Sequence, residues 1–196
     1  MNSTYDWQQL LLDFRRLGGV AENIQQKEGK FGLGLFPVNN SLPISIRIPE
    51  SLLIDTRDIK LEGDSLLIKD SAIHSTEIKR FFANYQSNFS WGKEGRISVE
   101  SHLAEFSSLP APILEDLIDV GILDKGIYNK ENWNQLLLHK FFRSRSTVYK
   151  NKKVIMPIIE LANHDLNGTK YIRVDYGIKV QGVFSNEVFC YYGNHD

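Results

Sequence analysis

The feature that most constrains this chain is a hydrophobic period that changes twice along its length. Up to about residue 71 the apolar residues fall in short runs, the clearest being Ile44, Ile46 and Ile48, which alternate with Ser45 and Arg47. Alternation of that kind marks a half-buried strand, because successive side chains point to opposite faces. From about residue 72 to 146 the spacing becomes helical. Ser75 suits the cap of a helix on which Ile78, Phe81, Phe82, Tyr85 and Phe89 share a side. Pro110 and Pro112 introduce a second helix, with Ile113, Leu114, Leu117 and Ile118, and a third carries Trp133, Leu136, Leu137, Phe141 and Phe142. After Lys153 the strand signal returns: Val154 to Ile159 is apolar, Ile172, Val174 and Tyr176 alternate, and Val188 to Tyr192 closes the chain. Neither β-rich part can bury a core alone, so the two must pair in space across the helices. The expected fold class is therefore α+β. It is a β-rich domain of small sheets with an inserted all-α subdomain, divided as 1–71, 72–142 and 143–196.

Smaller signals fill in the outline. Trp7, Leu10, Leu11, Phe14 and Leu17 predict an opening helix, with Thr4 as its cap and Gly18-Gly19 as its stop. Val20 to Ile24 and Phe31 to Phe36 read as further strands, and Pro37 and Pro43 suit edges and turns better than a central strand. The aromatic residues of the helical part read as core.

Bulk properties narrow the classes of function. A chain of 196 residues forms one substantial domain, or a core domain with a modest insertion. A formal net charge of −1 gives no general attraction to nucleic acid or to an anionic membrane. Lys150, Lys152 and Lys153 read as a solvated loop. The single cysteine, Cys190, excludes an intramolecular disulfide and a Cys-rich zinc site, and it fits a reducing compartment. The N-terminus has no charged region followed by an apolar run, and no stretch approaches the roughly 18 apolar residues that span a bilayer. The expectation is a soluble, intracellular protein, cytoplasmic or, in a eukaryotic cell, nuclear.

Three stretches carry chemistry. In Lys30-Phe31-Gly32-Leu33-Gly34-Leu35-Phe36, two glycines flank Leu33 and let the backbone approach a ligand closely. No Gly-Lys-Ser/Thr follows, and the third glycine of a dinucleotide fingerprint is absent, so neither phosphate-binding motif is present. The stretch Met156-Pro157-Ile158-Ile159-Glu160-Leu161-Ala162-Asn163-His164-Asp165 is an apolar strand that ends in polar groups able to donate and accept. The third, Glu187-Val188-Phe189-Cys190-Tyr191-Tyr192-Gly193, could aim a phenol into a pocket. A competing constellation is the Asn-His-Asp that occurs at 163–165 and again at 194–196, a pattern able to hold a divalent metal in a hydrolase. That chemistry needs more ligands than the remaining His74, His102 and His139 offer at their spacing. No Gly-x-Ser-x-Gly is present and Cys190 sits in an apolar strand, so no nucleophile is marked.

Taken together, these stretches resemble the SET-domain protein methyltransferases, specifically the Rubisco large-subunit methyltransferase type. The resemblance lies in their order: Gly-Leu-Gly-Leu, "IPESLLI", a helical insertion, "RSRS", "PIIELANHD" and "EVFCYYG". It implies an S-adenosylmethionine cofactor, with Gly32, Leu33 and Gly34 along it, Arg145 near its carboxylate, and Asn163 and His164 holding it by hydrogen bonds. Tyr192 corresponds to the family's catalytic tyrosine. The resemblance further implies a knot-like C-terminal crossing, a protein substrate whose lysine enters from the opposite face, and no metal. Ser185-Asn186 stand where relatives have Gly-Glu, and relatives continue past the Tyr-Gly into a segment that closes the adenine site and the lysine channel. The C-terminal part is thus expected to be truncated, and a catalytically inactive SET-like protein-binding module is the alternative to an active enzyme. Within the active reading, some relatives methylate histidine rather than lysine.

Overall fold

In the computed structural model, which describes residues 5–121, 123 and 133–191, the chain opens with helix α1 (Trp7–Arg16). Its N-cap is Asp6, whose carboxylate accepts the Gln9 backbone N–H at 2.9 Å; Thr4, the expected cap, lies outside the described residues. An Asp side chain two or three residues before the orphan N–H groups is the stronger acceptor for them. Gly18 ends the helix at φ 89°, a left-handed turn that glycine takes without strain.

Strands β1 (Val20–Glu22), β2 (Ile24–Gly29), β3 (Gly32–Pro37) and β4 (Ile44–Pro49) follow. Asn23 splits what reads in sequence as one strand. Its φ is 54°, and its side-chain amide ties down the 39–42 loop by donating to the carbonyls of Asn39 and Leu42 at 2.9 and 2.8 Å. Then come β5 (Ile54–Asp55) and the hairpin of β6 (Ile59–Glu62) and β7 (Ser65–Ile68). The helical stretch contains α2 (Thr76–Asn88), α3 (Gly92–Ser107), α4 (Ala111–Asp119) and α5 (Trp133–Arg145). Ser75 caps α2, accepting from the Ile78 N–H at 3.2 Å. Strands resume with β8 (Ser146–Tyr149), β9 (Lys152–Ile155), β10 (Asn163–Lys170), β11 (Ile172–Val174), β12 (Gly177–Gly182) and β13 (Phe189–Tyr191). No described helix is long and apolar enough to cross a membrane.

The two β-rich parts pair. The largest sheet has the order β1-β4-β12-β11 and is antiparallel throughout, with Ile48 opposite Ile178 and Ile46 opposite Val180. Ile44, Ile46, Ile48, Ile178 and Val180 are all buried in one core with Leu10, Leu11 and Phe14 of α1. β4 is thus an interior strand despite the prolines beside it. Pro43 precedes its first residue and Pro49 is its last, so neither removes an N–H from the middle of the ladder. A second sheet, β5-β9-β8, again joins an early strand to late ones. The expected alternation at Ile172, Val174 and Tyr176 does not bury a face. β11 is an edge strand, and Ile172 and Tyr176 are exposed.

Helix α2 lies between two cores. Phe81 and Tyr85 face the core under the large sheet, whereas Phe82 faces a second core made with Ile54, Ile59, Leu66, Ile68, Trp91, Leu137, Phe141 and Ile155. The helical stretch therefore shares its interior with β5, β6, β7 and β9. Phe82 is 1 % exposed at the centre of that interior. Phe82→Ala is expected to destabilise the protein by about 3–5 kcal/mol, read from the shift in a urea denaturation midpoint. A truncation at the exposed Val148 should cost under about 1 kcal/mol.

Candidate functional site

A cavity of about 680 Å³ opens between the β2–β3 hairpin, the C-terminal end of α5 and the start of β10. The hairpin register pairs Gly29 with Gly32 across a two-residue turn, which places Gly32 and Leu33 in the cavity wall with the Leu33 side chain half exposed. At the mouth, the exposed Phe31 ring packs edge-on to Phe189, their centroids 6.0 Å apart.

Three distant stretches are tied together here. The Val188 N–H donates to the Leu35 carbonyl at 2.8 Å, fastening the hairpin to the segment that enters β13. The buried Glu187 accepts from Asn163 Nδ2 at 2.6 Å. A Cβ at Gly34 would collide with Glu187 Oε1 and sit 3.0 Å from Asn163 Nδ2, and one at Gly29 would lie 2.7 Å from Glu187 Oε2. The glycines of this hairpin thus make room for a protein carboxylate. β10 pairs in parallel with β13 on both sides of an irregularity, Asn163 opposite Phe189 and Lys170 opposite Tyr191. His164 Nδ1 donates to the Cys190 carbonyl at 3.1 Å, and its ring stacks on Tyr191 with centroids 6.1 Å apart.

Gly32, Leu33, Arg145, Asn163 and His164 all border this one cavity. Gly34 stands one residue along, against Asn163 and Glu187. Tyr192 lies outside the described residues. The Asn-His pair does not end an apolar strand. β9 stops at Ile155, and Asn163 begins β10 after a tight turn. In that turn Ile158 has φ 72° and ψ −54°, and the Ile159 N–H reaches the Pro157 carbonyl at 3.0 Å. This is the rare, strained form of the three-residue turn, and a β-branched residue is the least suited to it. The Tyr85 hydroxyl holds it by accepting the Ile158 N–H at 3.2 Å.

Glu160 follows directly and is 3 % exposed. Arg145 at the end of α5 donates to the Glu160 backbone carbonyl at 2.9 Å, and Gln86 Nε2 to its Oε1 at 3.4 Å. Burial pushes the Glu160 carboxyl up to about 7; the Arg145 charge and the nearby Tyr85, Ser90 and Gln86 pull it down without overcoming burial. Ser90 is near enough to favour the carboxylate, yet its Oγ, Glu160 Oε2 and Gln86 Oε1 have no hydrogen-bond partner among the described residues. Burial likewise raises the Tyr85 phenol, and it pushes the Cys190 thiol up to about 12, which leaves that thiol unreactive. Among the described residues no three of His, Cys, Asp and Glu gather as a metal site would require.

The cavity wall therefore combines backbone of a hairpin, the cations Lys140, Arg143 and Arg145, and one buried acid. Sequence reasoning passed over Glu160, Glu187 and Ser90. Glu160 had a signal, since a lone charge inside the apolar run 158–162 is a buried charge unless the run is exposed. Ser90 had none. No family model matches the chain, and no curated protein does. Among solved structures, the chain is similar to the SET domain of LSMT bound to lysine and AdoHcy, at 13 % identity and a TM-score of 0.48. That likeness covers 96 % of this chain and 54 % of the other, so this chain spans about half the length of that one.

Glu160 has a consequence for stability. Its folded-state value of about 7 exceeds the ordinary 4.5, so the folded protein holds a proton that the unfolded chain has released. Stability is then lost as pH rises through that interval, by on the order of 3 kcal/mol. Glu160→Gln should flatten the pH dependence of the urea midpoint between about pH 4.5 and 7.5, relative to wild type measured in parallel.

Proposed function

We propose that this chain is an S-adenosylmethionine-dependent protein methyltransferase of the SET type, acting on a lysine side chain of a protein substrate. The observation that carries the reading is the meeting of Gly32-Leu33, Arg145 and Asn163-His164 around one cavity, beside the strand that leads into Tyr192. The finer architecture belongs to the same proposal: a SET domain built from 1–71 and 143–196, with 72–142 inserted and the terminal strand crossing in a knot-like way near Asn163.

The residues present suit the cofactor. A cavity of about 680 Å³ is in the range that takes a nucleoside-sized ligand. Among the described residues, Glu160 Oε2 and Ser90 Oγ in its wall meet no hydrogen-bond partner, as a site built for a polar ligand would leave them. When bound, S-adenosylmethionine supplies a methyl group on a sulfonium. Gly32 and Leu33 offer main-chain groups along the ligand, and the Arg145 guanidinium suits its carboxylate. Asn163 has its Nδ2 committed to Glu187, so its amide presents an oxygen as acceptor. Tyr192 orients the incoming amine through its phenol oxygen. A free lysine has a pKa of about 10.4, and an adjacent sulfonium and a dry channel both disfavour its charged form. What the protein supplies is alignment, which is worth several kcal/mol for well-oriented reactants. Chemistry of this kind asks for no protein nucleophile, in keeping with an unreactive Cys190.

Calorimetry should show saturable binding of S-adenosylmethionine, and well-folded protein that binds none would refute the reading. Arg145→Ala should weaken that binding by about tenfold or more. Tyr192→Phe should lower transfer of labelled methyl to protein by on the order of a hundredfold while leaving cofactor affinity unchanged. Tight binding without any turnover would instead favour a catalytically inactive protein-binding module.

A further inference from the structure

The large sheet buries only one of its faces. Ala21, Ile44, Ile46, Ile48, Ile178 and Val180 point into the core, so their neighbours along each strand point outward. The register lines those neighbours up in rows. The central row runs Val20, Arg47, Lys179 and Ile172, each directly opposite the next on β1, β4, β12 and β11. Arg47 and Ile172 are exposed, and Val20 and Lys179 are half-buried.

Two cations therefore face each other across the middle of the sheet. Like charges directly opposite on neighbouring strands destabilise a sheet. Among the described residues neither Arg47 nor Lys179 forms an ion pair with a carboxylate. The acid on this face, Glu22, stands opposite Ser45, one row along. A local arrangement that costs stability with no compensation inside the fold is the mark of a functional surface.

We propose that this outer face is a docking surface for an extended protein segment that carries one carboxylate between two apolar side chains. A carboxylate seated between Arg47 and Lys179 meets both charges and removes the repulsion that the free sheet carries. Val20 and Ile172 flank the two cations at the ends of the row. Neighbouring strands lie about 4.8 Å apart, so the row measures about 14 Å from Val20 to Ile172. Alternate side chains of an extended segment lie about 7 Å apart. Three of them, apolar, acidic and apolar, span the row when the segment crosses the strands. A polyanion fits less well, because the chain has a net charge of −1 and the two ends of the row offer nothing to a phosphate. None of these four side chains borders the cavity, so the inference stands apart from the cofactor reading.

The test is an amide-shift NMR titration of the full chain with a synthetic decapeptide of alternating valine and glutamate. Saturable shifts should fall on β1, β4, β12 and β11, and the matching valine–lysine peptide should give none. Reversing both charges, Arg47→Glu with Lys179→Glu, should weaken the glutamate peptide by about tenfold or more and let the variant bind the lysine peptide instead. Arg47→Thr and Lys179→Thr, which keep strand-forming side chains, should each weaken the glutamate peptide and raise the thermal midpoint by about 1–3 °C as the repulsion is removed. These two variants serve where the double reversal does not fold. No saturable shift on this face, equal binding of the two peptides by wild type, or a lowered thermal midpoint in both threonine variants would overturn the docking surface. Tighter binding of an oligothymidylate on the same residues would overturn the assignment to a protein segment.

Discussion

The site depends on one junction, where the Glu187 carboxylate enters the space that Gly29 and Gly34 leave on the hairpin and grips the Asn163 amide. With the Val188–Leu35 main-chain bond next to it, that junction joins stretches of chain separated by more than a hundred residues. A buried carboxylate is tolerable only where hydrogen bonds meet it, and the short bond from Asn163 provides one. The hairpin's place, the orientation of Asn163 and the approach of β13 are therefore set by the same contact. The glycine pattern, which in sequence reads as clearance for a ligand, serves at Gly34 as clearance for this side chain.

A second dependency runs through α2. Tyr85 packs in the main core and holds the strained turn at Ile158, and the turn delivers Glu160 and then Asn163 to the cavity. Gln86 and Ser90, one helical residue and one just past the helix, complete the surroundings of Glu160. Backbone strain of this kind persists only where the surrounding structure over-determines it. The helical stretch is thus more than a decoration on the sheets, since it buries strand residues in its own core and reaches the cavity wall directly.

Much of the element pattern was legible. Ile44, Ile46 and Ile48 read as a strand and form one, and Ser75 reads as a cap and is one, because periodicity and capping are local properties. The failures are equally physical. β4 is interior although prolines flank it, since only a proline within the ladder removes a bond. Ile172 and Val174 lie on an edge strand and Tyr176 in the turn after it, with Ile172 and Tyr176 exposed, because alternation tells which residues share a face and not what covers it. Asn163 opens a strand where it was read as closing one, because a turn held by a tyrosine more than seventy residues earlier leaves no local signature.

The sequence by itself determined that strands, helices and strands follow in that order and that two β parts must pair, and it offered Gly32, Leu33, Gly34, Arg145, Asn163, His164 and Tyr192 as candidates for a site. Those are statements about local spacing and about what a chain can bury. Only the tertiary structure decided that five of them share a cavity, that Gly34 faces Glu187, and that Glu160 is buried in the wall with its carboxyl held above the usual range. Burial and pairing arise between residues far apart in the chain, and the energy of a charge depends on those neighbours, which no window of sequence contains.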